Sequence, residues 1–357
     1  MSWFRRKLMT LGGEVNYTLM PLTFEAITGG DLYIRNDNNS DIVYAARDFE
    51  YSLNNGAWVS FALPAGSSQT KIATLSAGDK IRFRRDGVNF NGAKFVSDSS
   101  LTFDMYGNLL SLQYGSAFNG QTSLRDLTAE AFWGVFYGVN VVDASNLVLA
   151  ATALSPSCYR DMFQWCSLLT SAPSELPATT LADNCYRAMF ANCQSLVNVP
   201  AILPATTLTE RCYQYMHLNC SSLVTAPEIA ATTLATYCCN QMFQGCSSLV
   251  NAPSELLAAS LDANNCYQNM FRYCSSLVTA PDILATSITG SNACGRMFSD
   301  CTLLNYVKCL LTPDSALMRY WLSNVAGVGT FVKAQGTTWE AGYHGIPSGW
   351  TVEEVTI

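Results

Sequence analysis

Charge is what this sequence has least of. Only 13% of its 357 residues are Asp, Glu, Lys or Arg, about half the usual share. Hydroxyl and amide groups therefore carry much of its solubility. The net charge is −7 and the isoelectric point is near 4.9. That balance excludes the basic surface that phosphate backbones require, and no nucleic-acid partner is expected. No apolar run approaches the roughly 18–20 residues of a membrane-crossing helix, so no membrane span is expected. Histidine occurs only at His217 and His344. There is no C-x-x-C pair, zinc-protease motif, nucleophile elbow, phosphate loop or dinucleotide fingerprint. No metal, no cofactor and no catalytic residue is expected, and the chain reads as a non-enzyme. Its first twenty residues have the charge of a secretory leader but lack the apolar stretch of one. They are expected to be retained.

Repetition is what the chain has in abundance. Aligned on cysteine, six units begin at Cys158, Cys185, Cys212, Cys239, Cys266 and Cys294. A second cysteine follows in each, at Cys166, Cys193, Cys220, Cys246, Cys274 and Cys301. The shared pattern is close to C-Y-x-x-M-F-x-x-C-x-S-L-V-x-A-P, followed by a run ending in A-T-T-L. A cysteine-free unit precedes these, with Phe136 one period before Phe163. Within a unit, Cys185, Met189 and Phe190 predict a short helix over 183–192 with one buried face. Leu196-Val197-Asn198-Val199 predicts a short strand that Pro200 ends. No single turn can bury its own face, so neighbouring turns must stack. Seven turns at a strand spacing of about 4.8 Å would extend about 34 Å.

The M-F-x-x-C-x-S-L repeats with A-T-T-L connectors resemble the BspA-like leucine-rich-repeat proteins of Bacteroides and of the phages, crAss-like ones among them, that infect these bacteria. The resemblance spans roughly residues 105 to 357, from Tyr106-Gly107-Asn108 to a cap-like Gly345-Ile346-Pro347-Ser348-Gly349-Trp350. It implies an α+β fold: a leucine-rich-repeat solenoid of about seven turns with a C-terminal cap at 306–357. The sequence departs from the pattern at His217-Leu218, at the Cys238-Cys239 doublet and at Gly295. His217 stands where other units place a phenylalanine, and is expected to be a tolerated core substitution.

Fourteen cysteines would suggest disulfides in a small secreted domain. Their spacing points instead to two ladders of buried thiols in a protein folded under reducing conditions.

Residues 15–104 lack repeat cysteines and alternate in the manner of strands, as in Lys80-Ile81-Arg82-Phe83-Arg84. Asn54-Asn55-Gly56 between two such runs is a hairpin signal. A small β-sandwich is expected there, with the solenoid over 105–305. Ahead of it, 1–14 forms an arm in which Trp3, Phe4, Arg5, Arg6, Leu8 and Met9 would make an amphipathic anchor.

Stacked repeats set equivalent residues in straight columns. One candidate ligand-facing column is polar: Ser171, Asn198, Thr225, Asn251, Thr279 and Tyr306. A second is acidic: Glu175, Glu228, Glu255 and Asp282, with Ala201 interrupting it. Tyr159, Tyr186, Tyr213 and Tyr267 would stack on sugar rings if exposed, and fill the core if not. These features suggest a phage virion component, tail- or head-fibre-like. It would be assembled in bacterial cytoplasm, docked to other virion proteins through its N-terminus, and set against a host cell-surface glycan or protein. Homo-oligomers are compatible with this reading. The rival expectation is a bacterial cell-surface adhesin.

Overall fold

The computed structural model describes residues 15–36, 47–64, 69–87, 92–125, 129–314, 316–342 and 344–356. The anchor residues Trp3, Phe4, Arg5, Arg6, Leu8 and Met9 lie outside them.

The N-terminal strands are β1 (Leu22–Ala26), β2 (Gly30–Asn36), β3 (Arg47–Leu53), β4 (Val59–Leu63), β5 (Gln69–Leu75), β6 (Lys80–Arg84), β7 (Ala93–Ser97), β8 (Phe103–Asn108) and β9 (Val141–Val148). They form a six-stranded sheet, β4-β3-β6-β1-β8-β9, and a three-stranded sheet, β5-β2-β7. Alternation places Ile81 and Phe83 inward, while Arg82 and Arg84 lie over the Trp58 ring at 5.2 and 4.1 Å. Asn54 and Asn55 take left-handed φ of 49° and 61° at the β3–β4 turn, which asparagine tolerates better than most residues. The two sheets meet through Phe24 and Phe83, which lie 5.0 and 4.8 Å from Phe95.

This core has no break before the repeats, since Phe24 also lies 6.0 Å from Phe136. Strand β8 runs through the boundary expected at 104/105. It pairs in parallel with β9, and Asp143 of β9 bridges in parallel to Ser171, which bridges to Asn198. The first sheet thus leads directly into the repeats.

The expected fold class is corrected here. The protein is predominantly β, with 30% strand and 3% helix, so it is not an α+β leucine-rich-repeat solenoid. Among the described residues the strands fall into five separate sheets and form no closed solenoid. Repeat strands are short: β10 (Ile202–Leu203), β11 (Glu228–Ile229), β12 (Glu255–Leu256), β13 (Ser260–Leu261), β14 (Asp282–Ile283) and β15 (Ser287–Ile288). Only near the end do they lengthen, in β16 (Tyr306–Cys309), β17 (Gly329–Ala334) and β18 (Trp350–Val355).

The helix expected over 183–192 does not form, and the reason is local. Asn184, Ala188 and Asn192 have φ of 58°, 51° and 63°, and a left-handed residue at every fourth position breaks a right-handed helix. The segment is instead a ribbon of tight turns. Alternate N–H groups bond back within the unit, as from Met189 to the Tyr186 carbonyl at 3.2 Å. The others reach forward to the next unit: Asn184 to Glu210, Tyr186 to Cys212, Ala188 to Gln214, Phe190 to Met216 and Asn192 to Leu218. In the last turn Tyr320 donates instead to His344 Nδ1 at 3.3 Å.

These bonds also correct the repeat register. Tyr213 N–H bonds to Cys238, Cys239 to Cys266, and Tyr267 to Ala293. Cys239 and Cys294 therefore occupy the tyrosine position, and Cys238 and Ala293 the first-cysteine position.

Two columns of rings fill the stack. Phe136, Phe163, Phe190, His217, Phe243, Phe271 and Phe298 follow one another at centroid spacings of 5.3 to 5.7 Å. Trp321, fully buried, closes this column 6.3 Å beyond Phe298. Phe132, Tyr159, Tyr186 and Tyr213 form the second column at 5.7 to 6.0 Å. Burying each such ring contributes roughly 1.5–3 kcal/mol.

All fourteen cysteines are buried and free. The second cysteine of each unit is a donor as well as a filler. Cys166, Cys193 and Cys220 point Sγ at the carbonyls of Phe136, Phe163 and Phe190, at 3.0, 3.0 and 3.1 Å. Cys246, Cys274 and Cys301 repeat the contact onto His217, Phe243 and Phe271 at 3.1, 3.1 and 3.0 Å. A small side chain with one weak donor fits that place.

Candidate recognition surface

The polar column lies at the parallel bridges between units, where successive residues stand side by side. Asn198, Thr225, Asn251 and Thr279 are exposed, Tyr306 is half-buried and Ser171 is buried. Part of its hydrogen-bonding capacity is spent within the column. Asn198 Nδ2 donates to Ser171 Oγ, and Asn251 Nδ2 to Thr225 Oγ1, each at 3.0 Å. Beside it stands an exposed apolar row, Val197, Val224, Val250 and Val278.

The acidic column contains Glu175, Glu228, Glu255 and Asp282, the first three exposed and Asp282 half-buried. Its interruption is Ile202, which pairs with Glu228, and not Ala201. Two of its four carboxylates are bonded to neighbouring units. The Glu228 carboxylate accepts from Ser254 N and Oγ, and Asp282 pairs with Lys308 Nζ at 2.5 Å.

Tyr159, Tyr186, Tyr213 and Tyr267 are buried, so none is available to a sugar ring. Burial pushes each phenol well above its ordinary pKa. The hydroxyls of Tyr159, Tyr186 and Tyr267 have no hydrogen-bond partner.

His217 is equally enclosed, stacked between Phe190 at 5.5 Å and Phe243 at 5.3 Å, with neither ring nitrogen hydrogen-bonded. Burial lowers its pKa to about 3, so the ring is neutral. Its role is to be a rung in the phenyl column. Burial also pushes the Cys158 and Cys166 thiols up to about 12, whereas the Cys239 side chain, hydrogen-bonded to Cys238, draws the Cys238 thiol below its ordinary value. No group of three or more His, Cys, Asp or Glu suited to a metal ion occurs among the described residues. No described helix is long and apolar enough to cross a membrane.

Sequence reasoning missed the flank formed by the turn ribbons. All five basic residues between 129 and 305 lie there: Arg160, Arg187, Arg211, Arg272 and Arg296. Each guanidinium sits over an aromatic ring: Arg160 over Trp133 (5.2 Å), Arg187 over Tyr215 (5.6 Å), Arg211 over Tyr237 (5.2 Å), Arg272 over Tyr273 (4.3 Å) and Arg296 over Tyr320 (5.6 Å). Asp161, Glu210 and Asp300 pair with Arg160, Arg211 and Arg272 at 3.3, 2.5 and 3.5 Å. The signal was present in the sequence, because Trp133 and Arg160 stand one repeat apart, and Arg187 and Tyr215 one residue more than a repeat. It becomes visible only when units are aligned on backbone pairing.

Compared with known proteins, the chain matches no family model, no curated protein and no solved structure.

Proposed function

We propose that the protein is a non-enzymatic adhesion component of a phage virion. In this reading the N-terminal arm docks to other virion proteins, and the repeats contact a glycan or protein on the host cell surface. The observation that supports it best is the ordered surface of the repeats. Equivalent residues stand side by side in rows on two flanks, and such rows suit a patterned or polymeric target. Fourteen buried free thiols also fit folding in a reducing cytoplasm, where virions are assembled.

Immunogold labelling of purified particles and of uninfected cells with an antibody to this chain tests the proposal. Label on particles is the expected result. Label confined to the outer surface of uninfected cells would make the protein a bacterial adhesin instead. Removing residues 1–14 is expected to release it from particles, and unchanged occupancy would refute the docking role.

A further inference from the structure

We propose that a trough on the turn flank, running from Trp165 to Tyr273, binds a linear polysaccharide laid along the stacking direction. The inference deepens the adhesion reading and rests on it.

One column carries the argument. The last left-handed position of successive turn ribbons holds Trp165, Asn192, Asn219, Gly245 and Tyr273, with φ of 66°, 63°, 57°, 76° and 64°. Shared backbone geometry makes them a single file, one residue per turn. Forward N–H bonds from Trp165, Asn192, Asn219 and Gly245 tie each turn to the next. At about 4.8 Å per turn, the four steps separate the two end residues by about 19 Å.

Side-chain size along the file makes the trough. Trp165 and Tyr273 are 51% and 44% exposed, large rings standing out at either end. Asn192, Asn219 and Gly245 between them are small. Asn219 Nδ2 donates to Asn192 Oδ1 at 3.0 Å. A Cβ at position 245 would come within 2.3 Å of Asn219 Oδ1, so glycine is what lets that oxygen lie on the floor.

The chemistry matches a chain of pyranoses. The C–H face of a sugar packs on an aromatic ring, which is apolar across its face. Sugar hydroxyls exchange hydrogen bonds with amides that both donate and accept. At one end the Arg272 guanidinium lies 4.3 Å over Tyr273, donates to its hydroxyl at 2.5 Å and pairs with Asp300. That ring is therefore held in place before a ligand arrives, which lowers the entropy lost on binding.

The other flanks suit this ligand less well. The polar column makes the same kind of side-chain bond between units, but the exposed row beside it is valine and offers no aromatic ring. Glu228, Glu255 and Asp282 form an acidic row away from the turn flank, whereas on the flank Asp161, Glu210 and Asp300 are each paired with an arginine.

The full chain and its variants should be tested against immobilised linear oligosaccharides, neutral and uronate-containing, from disaccharides upward. Adhesion to intact cells should be measured in parallel. The expected result is binding only by oligomers long enough to touch both rings. Trp165→Ala and Tyr273→Ala should each weaken it tenfold or more, while Tyr273→Phe and Asn198→Ala retain it. Unaltered melting temperatures would show that the alanine variants fold.

Binding that survives Trp165→Ala and Tyr273→Ala together would overturn the assignment of the site. Adhesion to cells without binding to any oligosaccharide, or adhesion abolished by protease treatment of the cells, would overturn the glycan. The adhesion reading would stand in either case. Loss of that reading would show separately, as absence of adhesion by the unaltered protein.

Discussion

At the scale of single residues, His217 is the clearest cost in the molecule. A buried polar group without a partner is destabilising, by roughly 1–3 kcal/mol. Both neighbours in its column are phenylalanines, so His217→Phe completes the column. The variant is expected to gain about 1–3 kcal/mol, read as a higher denaturant midpoint with an unchanged slope.

A pH signature accompanies it. Folding lowers the histidine pKa from its ordinary 6.5 to about 3. Between those values the unfolded chain binds the extra proton, so stability falls as pH drops from about 6.5 toward 3. Denaturation series across that window should show His217→Phe losing less stability than the parent. Equal acid sensitivity would mean the ring is not buried neutral. The place of His217 in the column was legible, because residues 27 before it and 26 after it are Phe190 and Phe243. The donor role of the second cysteines was not. It depends on a carbonyl about thirty residues earlier in the chain, which only stacking brings near. Burial of every thiol also predicts their reactivity. A chromogenic disulfide reagent should find none of the fourteen quickly in native protein, and all of them in denaturant.

The turn ribbon is the element that most separates the sequence from the structure. Apolar spacing at Cys185, Met189 and Phe190 correctly marked a buried face, since all three are fully enclosed. It marked the wrong backbone, because a ribbon of turns with period four presents nearly the same residues inward as a short helix. Glycine would have betrayed the left-handed positions, yet Ser157, Ala188, Arg211 and Trp165 occupy several of them. Forward hydrogen bonds to the next unit hold such residues there against their local preference. The cost should appear on substitution. At Asn265, φ 55°, a valine is expected to destabilise by about 1–2 kcal/mol. Glycine at the same place should be nearly neutral. Equal effects of the two would show that the left-handed backbone is not retained. The polar column was legible because it adjoins the proline, whereas its acidic neighbour was misread by one residue at Ala201. A shorter connector in the third unit shifts the pairing to Ile202.

On the scale of the whole molecule, one apolar core runs from Leu22 to Trp350. Its C-terminal closure depends on Trp321, whose ring ends the phenyl column and whose Nε1 donates to the Gly345 carbonyl at 3.0 Å. Trp321→Ala should cost about 3–5 kcal/mol. Because each turn leans on its neighbours, the loss should spread from that end. Hydrogen exchange should rise first over 294–331 and last near 158–190, and uniform deprotection would show instead that the stack opens as a unit.

The forward N–H bonds have one more consequence. From Glu130 to Tyr273, each ribbon sends five of them toward the C-terminal end of the stack. Peptide dipoles of about 3.5 D each therefore add in one direction along this flank. In an α-helix the N–H groups point back toward the start of the chain and the positive pole is there. Here the sense is reversed, and the positive pole lies at the C-terminal end. Glu340, Glu353 and Glu354 stand in that closing segment, where Lys333 is the only lysine or arginine after residue 324. The backbone thus gives this flank an electric axis of its own beside the sparse side-chain charges, and its two ends present opposite fields to any charged surface they approach.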